Sequence, residues 1–255
     1  MRGVSAGPPL PYRDFYYPLN VFMHILTHEE GGVTYLHYGL FDGDGDSIAA
    51  AQQRSTELLL SRLPAPPARL LDVGVGLGTT LDRLTRMGYA AEGITPDDKQ
   101  IAMVRARYGD AVNVHCTRFE DLTGGPYDAV LFQESSQYID SATLFAKARE
   151  LTNQVIVLDE FAFREEEGAT LHRYDTFLAA AGQHSFRKVE EVDLSDQAAP
   201  TVDYFNQRLP RYRDLLHRDL GLTSQQVDDL IESGHRYRNL YARGVYGYRL
   251  IVFLR

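Results

Sequence analysis

The chain has 255 residues, 44% hydrophobic and 24% charged, which is typical of a globular enzyme and too short for two full domains of ordinary size. The formal net charge of −9 argues against a nucleic-acid partner, because phosphate neutralisation needs a clustered excess of Lys and Arg. No apolar run approaches the roughly 18 residues of a membrane span and no secretory leader is visible, so we expect a soluble, cytoplasmic protein that does not bind membranes.

Residues 1–63 predict an N-terminal arm and cap. Pro and aromatic residues alternate from Pro8 to Pro18, which indicates an irregular arm. Ser47 is suited to cap a helix that begins at Ile48, and prolines at 64, 66 and 67 end this helix.

From residue 64 to 195, short apolar runs alternate with helical patterns, which is typical of βα units around a mostly parallel sheet. We therefore predict an α/β fold: a Rossmann-like, seven-stranded, mostly parallel sheet with helices on both faces. The predicted strands cover 70–73, 90–94, 112–115, 129–132, 154–159, 187–194 and 247–255, and the predicted helices cover 79–87, 96–108, 141–151 and 169–181.

The segment 196–246, between the last two strands, is too long for a hairpin and predicts a helical lid. Thr223 and Gln226 form a possible capping box, and Gly234 is expected to end the helix that follows. Residues 247–255 then return to the sheet as its final strand.

The single cysteine, Cys116, lies in an apolar stretch and is expected to be a buried strand thiol. No Cys/His spacing that builds a zinc site is apparent, so no metal is expected.

The strongest motif is Leu70-Leu71-Asp72-Val73-Gly74-Val75-Gly76-Leu77-Gly78, an acidic strand end followed by three alternating glycines and a helix. Glycine lets a ligand lie directly on the backbone, and a helix N-terminus favours a negative group. The turn suits a dinucleotide or an adenosyl amino acid. A dinucleotide fingerprint requires Gly or Ala at the sixth position, where this chain has Thr79.

This motif resembles the first motif of class I S-adenosylmethionine-dependent methyltransferases, in which Asp72, Gly74, Gly76 and Gly78 would hold the methionine part of the cofactor. Tyr35-Leu36-His37-Tyr38-Gly39, followed by Ala51-Gln52, is similar to the small-molecule branch that contains cyclopropane fatty acid synthases and natural-product methyltransferases. In that branch the aromatic loop closes over the cofactor, which implies a contact from Tyr35.

The same resemblance implies further cofactor contacts. Thr95 and Gln100 match the pair that binds the ribose hydroxyls, and both residue types donate and accept hydrogen bonds. Phe119 and Glu120 match an aromatic–acid pair that flanks adenine. Gln133 lies at the carboxyl end of a strand, the side on which open α/β sheets bind ligands.

His37, Glu134 and Tyr138 are candidate bases for an acidic acceptor, although each also suits a structural or solvated polar role. Asp159 and Glu160 end the fifth predicted strand and either hold an amine or hydroxyl or cap the next segment.

Where the resembling synthases carry a Glu–His pair that holds a bicarbonate base, this chain has Gln137 and Tyr138. The resemblance therefore implies transfer to a heteroatom of a small polar metabolite in natural-product biosynthesis. The alternatives are C-methylation, an NAD(P)-dependent oxidoreductase with Glu92 as its acidic residue, and a non-catalytic binding protein. The acceptor atom and the oligomeric state stay open.

Overall fold

The computed structural model describes residues 12–43, 45–166 and 170–255. Within them, strands and helices alternate through the middle of the chain. The strands are Arg69–Val73 (β1), Ala90–Thr95 (β2), Asn113–Cys116 (β3), Ala129–Gln133 (β4), Gln154–Ala162 (β5), Arg187–Asp193 (β6) and Tyr246–Leu254 (β7). The α-helices are Leu19–Glu30 (α1), Ile48–Leu60 (α2), Thr79–Arg86 (α3), Asp98–Tyr108 (α4), Ser141–Leu151 (α5), Tyr174–Gln183 (α6), Ser195–Ala198 (α7), Pro200–Leu220 (α8) and Ser224–Ala242 (α9).

The seven strands of the described residues form one sheet in the order β3-β2-β1-β4-β5-β7-β6. All neighbours are parallel except β7, which pairs antiparallel with both β5 and β6. This confirms the predicted Rossmann-like α/β fold. The strand order reverses between β1 and β4, and ligands of open α/β sheets bind at such a reversal, outside the carboxyl ends of the strands.

The core covers both faces of the sheet. Along β4, Ala129 and Leu131 belong to one buried apolar cluster, whereas Val130 and Phe132 belong to the other. Side chains of a strand alternate between faces, so a central strand that is buried on both sides must be apolar throughout. The edge strands β3 and β6 are mostly exposed.

The chain divides into two compact units. One comprises Met1–Val33 and Phe205–His235, and the other comprises Thr34–Tyr204 and Arg236–Arg255. The sheet and every predicted site residue belong to the second unit. None of the helices within the described ranges is both long enough and apolar enough to cross a membrane.

Two helix starts follow the sequence signals. The hydroxyl of Ser47 accepts a hydrogen bond from the backbone N–H of Ala50 at 3.1 Å, which confirms it as the cap of α2. Thr223 and Gln226 exchange the two bonds of a capping box, at 2.9 and 3.2 Å. The predicted arm lies partly outside the described residues, as does the start of the helix predicted at 169–181, which is observed as α6.

Gly234 does not end a helix, contrary to expectation, because α9 continues to Ala242. A Cβ at Gly234 would lie 2.0 Å from Oδ1 of Asn206 on α8. The absence of a side chain at Gly234 therefore allows α8 and α9 to approach each other closely.

Cys116 is a strand residue as predicted, but it is exposed and not buried. It ends the edge strand β3, which has only β2 as a neighbour. The apolar stretch around it did not reveal its edge position.

Candidate active site

The glycine turn joins β1 to α3 at the point where the strand order reverses. Gly74, Gly76 and Gly78 all have positive φ, at 80°, 52° and 79°. A Cβ at Gly74 would lie 2.4 Å from the Cβ of Ser135, and one at Gly78 would lie 2.9 Å from Val104. These two glycines are required by packing, whereas a Cβ at Gly76 would meet only Leu36, at 3.4 Å. Of the three, Gly76 is therefore the one that leaves room for a ligand against the backbone.

Asp72 is 3% exposed, on β1 directly before the turn. Its Oδ2 atom has no hydrogen-bond partner among the described residues. Burial raises the pKa of the carboxyl group to about 7. A buried acceptor without a partner is costly in a folded protein, so this atom fits a ligand that brings a donor.

Thr95 and Gln100 are brought together as the resemblance implies. Thr95 ends β2, and its hydroxyl donates to Oε1 of Gln100 on α4 at 3.0 Å. The N-cap Asp97 starts this helix by accepting from two backbone N–H groups. The pair offers a hydroxyl and an amide side by side at the carboxyl end of β2, which suits a diol.

Phe119 and Glu120 follow β3 in a turn. Phe119 is 2% exposed and makes an edge-to-face contact with Phe132, so its ring is part of the core. Glu120 is half-buried. Their place beside adenine stays a prediction.

A chain of hydrogen bonds links α3, β4 and α2. The hydroxyl of Thr80 donates to Oε1 of Gln133 at 3.1 Å, and Nε2 of Gln133 donates to the hydroxyl of Thr56 at 3.2 Å. Thr56 in turn lies 3.0 Å from Nε2 of His37, whose Nδ1 lies 2.9 Å from the carbonyl oxygen of Tyr38. Because a carbonyl only accepts, Nδ1 carries the proton and Nε2 accepts from Thr56.

His37 is thus a neutral imidazole with both nitrogens engaged. It is 7% exposed, and burial lowers its pKa to about 4. This setting supports a structural role better than proton uptake from an acceptor. Tyr35 packs on the same ring at 4.7 Å, and its hydroxyl accepts from Arg83 at 3.1 Å.

Glu134 has a different setting from the other candidate bases. It follows β4 with a φ of 54°, a left-handed conformation that non-glycine residues seldom adopt outside functional sites. Its Oε1 atom accepts from the backbone N–H of Tyr38 and from the hydroxyl of Tyr248, both at 2.6 Å. Burial, then the nearby Glu160 carboxylate, hold the pKa of Glu134 well above its usual range.

Asp159 and Glu160 lie on β5, close to Glu134. Asp159 accepts from the backbone N–H and the hydroxyl of Ser136, at 3.0 and 2.6 Å, which ties the segment after β4 to β5. Glu160 accepts from the hydroxyls of Tyr237 and Tyr241, and burial raises its pKa to about 7.

Unlike these groups, Tyr138 is exposed to solvent. Its side chain is 71% exposed, on a short 3₁₀ turn after Glu134.

Sequence reasoning missed the tyrosines that surround the carboxylates. Tyr248 donates to Glu134 and stacks on Tyr38 at 5.9 Å with an interplanar angle of 5°. No local sequence signal identified Tyr248, because its place opposite Glu160 depends on the pairing of β7 with β5.

Residues 71–154 match the family described as a methyltransferase domain. This segment includes the glycine turn, the Thr95–Gln100 pair and Glu134. No curated protein matches the sequence.

Solved structures of similar fold include three enzymes. A putative sarcosine dimethylglycine methyltransferase from Galdieria sulphuraria is 16% identical over 94% of this chain and 98% of that chain, with a TM-score of 0.81. A cyclopropane synthase from Mycobacterium tuberculosis is 15% identical over 96% of both chains, with a TM-score of 0.76. The geranyl diphosphate C-methyltransferase of Streptomyces coelicolor A3(2), in complex with Mg²⁺, geranyl diphosphate and S-adenosyl-L-homocysteine, is 18% identical over 98% of this chain and all of that chain, with a TM-score of 0.66. At these identities the likeness shows the fold.

Proposed function

Because the chain carries an S-adenosylmethionine-dependent methyltransferase domain, we propose that it transfers a methyl group to a heteroatom of a small polar acceptor, with Glu134 as the base. The same domain match sets aside the oxidoreductase alternative. The observation that carries the proposal is the position of Glu134: a carboxylate with a raised pKa, in a left-handed conformation, directly before Ser135, whose side chain packs against Gly74 of the glycine turn.

S-adenosylmethionine, when bound, supplies an electrophilic methyl group on a sulfonium. The residues in and around the glycine turn fit this cofactor. Gly76 leaves its backbone open to a ligand, and Asp72 offers an acceptor without a partner in the described part of the chain. Thr95 and Gln100 offer a matched pair of polar groups for a ribose.

The proton chemistry is assigned to Glu134. Both of its hydrogen bonds fall on Oε1, so within the described part of the chain Oε2 remains for a proton from the acceptor. A carboxylate whose pKa is raised binds a proton from a phenol, acid or ammonium group more strongly than an ordinary carboxylate does. The bonds from Tyr38 and Tyr248 hold Oε1 in place while Oε2 takes the proton.

The surroundings of Glu134 support a polar acceptor over a long acyl chain. Tyr38 and Tyr248 stack beside it, and Glu160 with its two tyrosine donors lies close by on β5. A wall of hydroxyls and carboxylates favours a ligand with hydrogen-bonding groups of its own, because buried polar groups without partners are costly. The natural-product setting stays an expectation from the resemblance.

The test uses Glu134→Gln, which keeps the shape and both hydrogen bonds to Oε1 but removes the basic charge. Formation of S-adenosylhomocysteine is measured with panels of phenols, amines and thiols, and the methylated atom is assigned by NMR of the product. We expect the variant to lose about 10²–10⁴-fold in kcat while its calorimetric affinity for S-adenosylhomocysteine is unchanged.

The matched control is Glu150→Gln, which removes a carboxylate that is 67% exposed on α5. It should retain full activity. Wild-type turnover in Glu134→Gln would exclude the base assignment, and a product methylated on carbon would replace the heteroatom proposal with C-methylation.

A further inference from the structure

A histidine pair on α1 faces an aspartate near the end of α8. His24 and His28 lie one helical turn apart on α1, and Asp219 lies in the last turn of α8. One ligand atom from each of the three side chains lies within 4.8 Å of the other two. All three residues belong to the unit that comprises Met1–Val33 and Phe205–His235. We propose that they bind a Zn²⁺ ion.

His24 is fully buried, so the proton of its neutral ring is shared with few neighbours. Its Nδ1 lies 3.0 Å from the hydroxyl of Tyr12, and that hydroxyl also hydrogen-bonds to Thr27. Zinc binding takes the neutral tautomer in which Nδ1–H donates to Tyr12, because Nε2 then carries no proton.

Nε2 of His24 faces the carboxylate of Asp219. Nε2 of His24 has no hydrogen-bond partner among the residues described, and Oδ2 of Asp219 lies 3.5 Å away. With the proton on Nδ1, two acceptors face each other there with no hydrogen between them. Ligands of tetrahedral zinc, with bonds of about 2.0–2.2 Å, lie about 3.4 Å apart, so the separation fits a bridging ion.

The three side chains form a ligand set that suits zinc. Two imidazoles and one carboxylate are ligands that zinc commonly takes, and a solvent molecule would complete a tetrahedron. The bond from Nδ1–H of His24 to Tyr12 is the kind of outer contact that orients a ligating histidine and fixes its tautomer. His28 is exposed and Asp219 is half-buried, so an ion can enter from solvent.

The positive charge of Arg218 opposes the binding of a cation at this site. Its guanidinium donates to Oδ1 and Oδ2 of Asp219, at 2.7 and 3.1 Å. The Arg218 side chain is 69% exposed, so its ion pair is a weak competitor. Each carboxylate oxygen has two lone pairs, so Oδ2 can accept from Arg218 and still ligate an ion.

The test uses the full chain without a histidine tag, after treatment with EDTA. Co²⁺ is titrated first, because a tetrahedral site gives it intense visible absorption, and Zn²⁺ is then used to displace it. We expect one Co²⁺ per chain with a tetrahedral spectrum. The variants His28→Ala and Asp219→Asn should lower the affinity by more than about 100-fold, and Tyr12→Phe by about 10–100-fold.

The matched control is His235→Ala, which removes an exposed histidine from the same unit and should bind as the wild type does. Because His28 is exposed and Asp219 half-buried, both ligand variants should fold, as circular dichroism will verify. A wild-type chain that binds no Co²⁺ at unit stoichiometry would overturn the proposal. So would unchanged affinity in both folded ligand variants, which would place any bound ion elsewhere.

Discussion

The hydroxyl of Tyr248 donates to Oε1 of Glu134 at 2.6 Å, which joins residues that are 114 positions apart in the chain. This bond favours the ionised carboxylate, whereas burial and the charge of Glu160 oppose it. The pKa of the proposed base is therefore set by a balance that one hydroxyl shifts.

Replacing Tyr248 with Phe should raise the pKa of Glu134 further, because the bond that lowers it is lost. A base acts only when ionised, so the acid limb of the kcat/KM profile should move to higher pH, by about one unit for a charge-assisted hydrogen bond. The measurement is the pH dependence of kcat/KM. Tyr89→Phe, which removes a hydroxyl that donates to the carbonyl of Pro64, is the control and should leave the profile in place. A limb that stays fixed or moves to lower pH in Tyr248→Phe contradicts this assignment.

Gly76→Ala should weaken binding of S-adenosylhomocysteine in a folded protein, because the added methyl group enters the space left for the ligand. Positive φ costs alanine about 1–2 kcal/mol wherever it occurs, so the strain needs its own control. Gly88→Ala provides it, since Gly88 also has positive φ, at 89°, and a methyl group added there would meet nothing within 4 Å among the described residues. Calorimetry should show weaker binding of S-adenosylhomocysteine in Gly76→Ala but not in Gly88→Ala. Equal affinities of the two variants would exclude Gly76 from the site.

Asp72 should make the ligand-free chain less stable as the pH rises. Its pKa is raised from 3.8 to about 7 by burial, so the folded chain keeps a proton that the unfolded chain releases. Stability from this group is present below about pH 4 and is lost as the pH rises through about 7. Asp72→Asn cannot ionise, and its advantage in free energy of unfolding should grow by about 2 kcal/mol between about pH 5.5 and pH 8. Urea titrations at both pH values test this, and a constant difference between variant and wild type would refute it.

The enzyme should not form cyclopropane rings. The sequence resemblance implies that Gln137 and Tyr138 stand where the synthases carry a Glu–His pair, and a neutral amide would not replace a carboxylate that helps to hold a bicarbonate. Tyr138 is 71% exposed and therefore lies largely in solvent. Incubation with methyl-labelled cofactor and unsaturated phospholipid should give no upfield ring protons in the NMR spectrum of the lipid, and their appearance would count against the prediction.

Features that depend on residues close together in the sequence were predictable from the sequence. The glycine turn, the Ser47 cap and the Thr223–Gln226 capping box are each encoded within a few positions. Tertiary pairings were not predictable in this way. Tyr248 reaches Glu134 only because β7 pairs with β5, and Gly234 serves a contact with Asn206 from another helix.

The candidate metal site illustrates the same limit. The spacing of His24 and His28 is visible in the sequence, but Asp219 comes from a helix almost two hundred residues later. A pair of histidines on one helix is common, and only the third side chain and the bare nitrogen distinguish this pair.

The hydrogen-bonded chain from Thr80 through Gln133, Thr56 and His37 to Tyr38 has a direction, since each hydroxyl or amide donates forward to the next acceptor. Reversing the amide of Gln133 or the tautomer of His37 would place two donors or two acceptors against each other. The five residues therefore act as one unit in which the proton positions depend on one another. A change at one of them is neutral only when it preserves the direction of donation, or when its neighbours change with it.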